Sequence, residues 1–336
     1  MKKTAIILLT GLVMMSCGNT KKSTTEETTN VVAVGPVFMA DSALLYCQRQ
    51  CDFGPRTMNS EAHERCADWI ASTFERFGMD VTLQKATLTG YDGTPLRSTN
   101  IIASYRPALQ DRIMLCAHWD SRPWADNDPD AANHHQPVMA ANDGASGVAV
   151  MLEIARLLTD SVSNQSASIS QNLGIDFICF DAEDWGTPQW AESEGDDSET
   201  WALGAQYWAS HPHRNAYSAR FGILLDMVGG QGARFYQEGV SLHYAGHIVK
   251  KVWNAAEAIG YGSYFPKQEG GMITDDHLPV NQKAGISCID IIPYYPDCEQ
   301  SSFGPTWHTV SDDMNHIDKN TLQAVGQTLI QVLYSE

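Results

Sequence analysis

Two short apolar runs constrain the fold more than anything else in this chain. Residues 174–180 (GIDFICF) and 221–225 (FGILL) are near-continuously apolar. Strands of this kind suit the interior of a parallel sheet with helices on both faces, not a sheet with one wet face. The flanking pattern agrees. Helical spacing is read over 42–51, 60–77 (Ala62, Cys66, Trp69, Ile70, Phe74), 147–158, 242–259 and 319–333; further strands are read over 81–88, 100–104, 113–117 and 287–292. Ser60 is an acceptable N-cap and Gly78 a good stop for the second helix. Strands alternating with helices predict a single α/β domain over 37–336, with a central, mostly parallel mixed sheet flanked by helices on both faces. Three connections, 120–141, 185–200 and 260–276, lack regular pattern, and loops of that length in a compact domain are usually functional or mobile.

The first residues predict export. Met1-Lys2-Lys3 is a positive start, and residues 5–15 are apolar but too short to span a bilayer. Ser16-Cys17-Gly18 follows and resembles the cleavage site of a bacterial lipoprotein, with the lipid on Cys17; an ordinary signal peptide cut nearby is the alternative. Residues 1–16 are therefore set aside as a signal and 17–36, rich in Thr, Lys and Glu, as a disordered tether. The expected location is periplasmic, touching a membrane only through that lipid. A formal net charge of -18 argues against nucleic-acid partners and anionic membrane contacts. Lipidation of Cys17 leaves an odd set of seven cysteines. Cys116, Cys179 and Cys288 sit in apolar strands, Cys47 and Cys51 are badly spaced for a disulfide, and no spacing suggests a cysteine zinc site.

Carboxylates and histidines cluster where the strands end. The motifs are His118-Trp119-Asp120, Asn142-Asp143-Gly144-Ala145-Ser146-Gly147, Phe180-Asp181-Ala182-Glu183-Asp184, Asp226-Met227-Val228-Gly229 and Trp307-His308-Thr309. Open α/β sheets bind ligands at the carboxyl ends of their strands, and zinc commonly takes three protein donors plus an open position. Asp143, Asp184 and His308 are the candidate donors. Asp143 read alone is equally a helix cap. Adjacent acids at a strand end point in different directions, so one can hold metal while the other faces substrate, and a Glu beside a metal can accept and return a proton. The competing reading of that pair is a solvated acidic loop, since Glu192, Glu194, Asp196, Asp197 and Glu199 follow. In His118-x-Asp120 a carboxylate is placed to orient an imidazole. His118 and Asp226 either complete a second metal site bridged by Asp143 or form a hydrogen-bonded network without a second ion.

Taken in order, these motifs resemble the co-catalytic zinc aminopeptidases and their relatives, the glutaminyl-peptide cyclotransferases, from about Phe53 onward. Gly54-Pro55-Arg56 and Ser60-Glu61-Ala62-His63 are similar to that superfamily's opening. Asp275-Asp276-His277-Leu278-Pro279, Ile292-Pro293 and Phe303-Gly304-Pro305-Thr306-Trp307-His308-Thr309 resemble the cyclases in particular. The resemblance implies one zinc on Asp143, Asp184 and His308, with Glu183 as proton shuttle supported by Asp226 and Asp275. It implies a substrate pocket of Ile292, Phe303 and Trp307, with Trp190 near the place of another pocket tryptophan. The implied activity is conversion of N-terminal glutamine of peptides or proteins to pyroglutamate with release of ammonia. A di-zinc aminopeptidase is the alternative. The chain departs from animal cyclases in having Glu183-Asp184 where they have two glutamates, and Ala117 where they have a cysteine beside the His-x-Asp motif.

Overall fold

A computed structural model describes residues 33–160, 168–191 and 197–336. The signal, Cys17 and most of the predicted tether lie outside these residues, as do Glu192, Glu194 and Asp196. Six strands form one mixed sheet: β1 (Asp80–Thr89), β2 (Pro95–Tyr105), β3 (Arg112–His118), β4 (Gly174–Phe180), β5 (Gly222–Leu225) and β6 (Cys288–Ile291), in the order β1-β2-β4-β3-β5-β6. β4, β3, β5 and β6 pair in parallel, while β1 and β2 form an antiparallel hairpin added to the β4 edge. The chain leaves β3 on one side to form β4 and returns on its other side to form β5, so the strand order reverses about β3. Crevices at such reversals are where open α/β sheets bind ligands.

Period-two alternation divides the central strands between two cores. Ile113, Leu115, Ala117, Ile175, Phe177, Cys179, Ile223 and Leu225 face the larger one. It is covered by α1 (Ala40–Cys51), α2 (Glu61–Arg76), α3 (Ala145–Thr159), α5 (Gly239–Ala258) and α7 (Lys319–Tyr334). Met114, Cys116, Ile178, Phe180 and Leu224 face the smaller core, under α4 (Leu203–Ser210) and α6 (His277–Gln282). The polar member of β4, Asp176, is buried in an ion pair with Arg112, whose Nη2 lies 2.7 Å from its Oδ1; Ser104 and Tyr217 also donate to it. The two ends of the described chain meet, because Gln331 and Gln327 of α7 accept the backbone N–H groups of Val34 and Phe38, each at 2.8 Å.

Sequence and structure differ in three places. β2 begins five residues earlier than the apolar pattern suggests, because its first half pairs with β1 in alternating buried and exposed positions. α4 and α6 are additional helices. The seven described cysteines are all free, so Cys47 and Cys51 are not bridged. No helix among the described residues is long and apolar enough to cross a membrane.

Candidate active site

The parallel strands deliver the predicted residues to one edge. His118 ends β3, Glu183 and Asp184 follow β4, Asp226 follows β5, and Asp275 precedes α6. Asp143 lies at the entry to α3. The segment after β6 returns Ile292, Phe303, Trp307 and His308. All of these except His118 and Asp184 border a cavity of about 300 Å³, lined by Asp143, Glu183, Trp201, Asp226, Asp275, Ile292, Phe303, Trp307 and His308 among others. Trp190 is not in this lining. It is 42 % exposed and packs edge-on against Trp124 and His135, while Trp201, eleven positions later, stands in the cavity wall. The connection after Asp184 is long enough that distance along the chain did not identify which indole turns inward.

The loops are locked by buried polar groups. Asp120 accepts the backbone N–H groups of both Glu183 and Asp184, at 3.1 and 3.2 Å, and its Oδ1 is 3.5 Å from His118 Nδ1. The His-x-Asp motif therefore shapes the acidic turn as well as facing the imidazole. Asn142 and Ser146 accept the N–H groups of Gly229 and Val228, fixing the Asp143 loop to the Asp226 loop. Asp312 accepts the N–H groups of Asn142 and Asp143. Gly147 permits close approach here, since a Cβ would stand 2.2 Å from the Leu225 carbonyl oxygen. Buried Arg56 donates to the carbonyls of Trp119, Met139 and Ala140, pinning both ends of the long 120–141 connection.

Two kinds of donor geometry coexist in the site. His118 Nε2 is hydrogen-bonded to Asp143 Oδ1 at 2.8 Å and to Asp226 Oδ1 at 3.2 Å. His308 Nε2 lies 3.1 Å from Asp184 Oδ1 and 3.7 Å from Asp143 Oδ2, yet neither oxygen of Asp184 accepts a hydrogen bond, although the residue is only 1 % exposed. On its far side His308 Nδ1 faces Asp126 Oδ1 at 3.4 Å, and Asp126 is gripped by Arg122 through Nε and Nη2. Trp307 and Trp201 both stack with the His308 ring.

Electrostatics separate the acids. Burial drives the Glu183 carboxyl well above the usual range, and Asp184, Asp275 and Asp276 push it further against the opposing charge of His118. Burial, then Asp184 and Asp226, raises Asp143 to about 6; burial and Asp226 raise Asp275 to about 7. Asp184 moves the other way: it is equally buried, but His308 and Arg122 hold it below the ordinary value. So many carboxylates in a dry site repel one another, and a cation among them relieves that repulsion.

The profile of Peptidase family M28 matches residues 100–333. The chain belongs to this family. Its fold is similar to that of a Bacteroides thetaiotaomicron glutaminyl cyclase bound to N-acetylhistamine, with 54 % identity, a TM-score of 0.85, and coverage of 90 % of this chain and 100 % of that one. It is similar also to a Zn-dependent exopeptidase from Parabacteroides distasonis, with 47 % identity, a TM-score of 0.85 and the same coverage. Aminopeptidase YwaD of Bacillus subtilis is 29 % identical over 264 residues, which span 76 % of this chain but only 49 % of YwaD. The sequence resemblance to bacterial glutaminyl cyclases and the α/β fold it implied are thus both present in the structure.

As an M28 protein the chain has donors suited to zinc. Asp143, Asp184 and His308 bring their ligand atoms within 4.8 Å of one another, all buried. Donors on a tetrahedral zinc stand about 3.3 Å apart, which matches the His308–Asp184 separation and the lack of a hydrogen bond between them. Asp126 then orients the imidazole from behind, the usual arrangement for a metal-binding histidine. Arg56 belongs to a quoted motif, but Arg122, Asp126, Asp312 and Trp201 were not singled out from the sequence. The signal for Arg122 and Asp126 was an i, i+4 charge pair in a patternless loop beginning at a candidate motif; Asp312 carries no comparable signal.

Proposed function

We propose that this protein is a glutaminyl-peptide cyclotransferase holding one zinc per chain on Asp143, Asp184 and His308. The observation that carries this reading is the hydrogen-bonded state of His118. Its 2.8 Å approach to Asp143 is a hydrogen-bond length, shorter than the roughly 3.3 Å between two donors that share a zinc. His118, Asp143 and Asp226 then act as a polar network, and the Asp143, Asp184 and His308 group is the metal position this reading uses. The rival reading, a di-zinc aminopeptidase, draws support from the same trio lying within ligating reach of a common point.

Bound zinc would supply a Lewis acid that polarises the γ-amide carbonyl of an N-terminal glutamine and stabilises the developing oxyanion. The Glu183 carboxylate accepts a proton from the substrate α-amine as its nitrogen attacks the carbonyl carbon of the γ-amide, Cδ. The bond to the amide nitrogen breaks, and Glu183 returns the proton to that nitrogen, which departs as ammonia. Asp275, raised to about 7, is partly protonated near neutrality and so repels the Glu183 carboxylate less. Asp226 fixes His118 and lines the same cavity. Ile292, Phe303, Trp307 and Trp201 give the glutamine side chain an apolar enclosure that excludes water, the competing nucleophile. Ring closure within one substrate gains greatly from proximity, with effective molarities of about 10⁵–10⁸ M in well-oriented cases.

Zinc analysis of the purified protein, followed by incubation with a glutamine-initiated peptide and mass spectrometry, tests the reading. Loss of ammonia with about one zinc per chain supports it; release of the first residue with about two zincs replaces it with the aminopeptidase. We further propose an exported protein anchored by a lipid on Cys17, acting on peptides or proteins that expose N-terminal glutamine. Membrane association unchanged in a Cys17→Ser variant would refute the anchor.

A further inference from the structure

The catalytic cavity does not end at its reactive groups. Ile273 and Thr274 line it and also line an adjoining cavity of about 340 Å³ that contacts α5 and α6. His243, Tyr244, Met272 and Leu278 form much of this second cavity. Met272 is 77 % exposed and Tyr244 38 %, which makes them two of the few large apolar side chains left in water. Scattered exposed hydrophobes carry no message, but these two share one groove that adjoins the active-site cavity at Ile273 and Thr274.

The groove is also held in shape. Glu238 Oε1 accepts the N–H of Ile273 at 2.9 Å, Gly239 donates to the Gly271 carbonyl at 2.9 Å, and Gln282 Nε2 reaches the Tyr244 hydroxyl at 3.3 Å, tying α6 to α5. Its lining contains no Lys, Arg, Asp or Glu. A third cavity also shares Thr274, but it is bordered by Glu199 and Lys283. Filling that polar cavity exchanges one set of hydrogen bonds for another, whereas an apolar side chain in the groove of Tyr244 and Met272 removes hydrocarbon from water.

We propose that the groove bordered by Tyr244, Met272 and Ile273 receives the residues that follow the N-terminal glutamine, selecting peptides with an apolar side chain at the second or third position. This deepens the cyclotransferase reading and rests on it. A substrate peptide must leave the catalytic cavity along some wall, and the Ile273–Thr274 wall is shared with an apolar groove.

Calorimetric binding to zinc-loaded Glu183→Gln protein tests the groove independently of turnover. Gln-Leu-Phe-amide is expected to bind about tenfold more tightly than Gln-Gly-Gly-amide, as partial burial of two apolar side chains allows. Met272→Asp in the same background should erase that difference and leave Gln-Gly-Gly-amide binding unchanged. Equal affinities, or a preference that survives both Met272→Asp and Tyr244→Ala, would overturn the proposal. Turnover of Gln-Gly-Gly-amide by the wild-type protein is read separately. Failure there removes the cyclotransferase reading, while a binding preference dependent on Met272 would still establish the groove.

Discussion

Glu183 and Asp184 are adjacent in sequence but differ electrostatically. Burial and neighbouring acids raise the first, while His308 and Arg122 lower the second, so one favours a proton and the other a metal. Glu183→Gln should therefore retain zinc and lose about 10²–10⁴-fold in turnover, read by metal analysis beside a cyclisation assay; near-normal turnover would remove Glu183 as the proton carrier. Asp126→Asn should act through His308 without contacting substrate. Removing such a buttress commonly costs about 10–100-fold in metal affinity, measurable by zinc competition with a chelating dye, and an unchanged affinity would deny Asp126 that role. At this scale the sequence was informative about donors and poor about their supports. Acids and histidines at strand ends stand out because strand ends converge. Arg122 and Trp201 carry no such mark, since they reach the site from loops whose path the local sequence does not encode.

Among the secondary-structure elements, α5 shows how one side chain fixes several pieces. Glu238 caps it by accepting the N–H groups of Val240 and Ser241, accepts that of Ile273, and meets His277 of α6 at 3.1 Å. Burial pulls its carboxyl upward, but His277 and these N–H groups prevail and hold it at about 2. A carboxyl lowered in the native state adds stability above its unfolded value of about 4.3 and loses it as pH falls towards 2, an effect of about 3 kcal/mol at neutrality. Glu238→Gln should thus lower the urea midpoint clearly at pH 7, by about half as much at pH 3 and much less at pH 2; a gap independent of pH would contradict this origin. Long periodic elements such as α2, α3 and α7 were legible within a few residues. α4 and α6 were not. α4 is short with weak apolar periodicity, and α6 is six residues containing Pro279 inside a segment whose acids and histidine drew attention as a motif. Tertiary packing against the smaller core supplies what their local sequences lack.

The whole molecule concentrates buried acids at one sheet edge and balances them with few fixed cations. Zinc that binds only the folded form stabilises it by mass action, by about 2.7 kcal/mol when free metal is a hundredfold above its dissociation constant. Chelation should accordingly lower the thermal midpoint, and the shift should reverse when zinc is restored; a midpoint indifferent to chelator would mean that the acids neutralise one another by sharing protons. The fold class was legible because strands buried on both faces leave a compositional trace, whereas the antiparallel β1–β2 hairpin had to be seen. The pairing of Val34 and Phe38 with α7 bears on how the site is held together. α7 hydrogen-bonds to Val34 and Phe38, and His308 and Asp312 come from the same final stretch that holds Asp143 in place. A chain cut before His308 would keep Asp143 and Asp184 but lose both the third proposed donor and the carboxylate that holds the Asp143 loop.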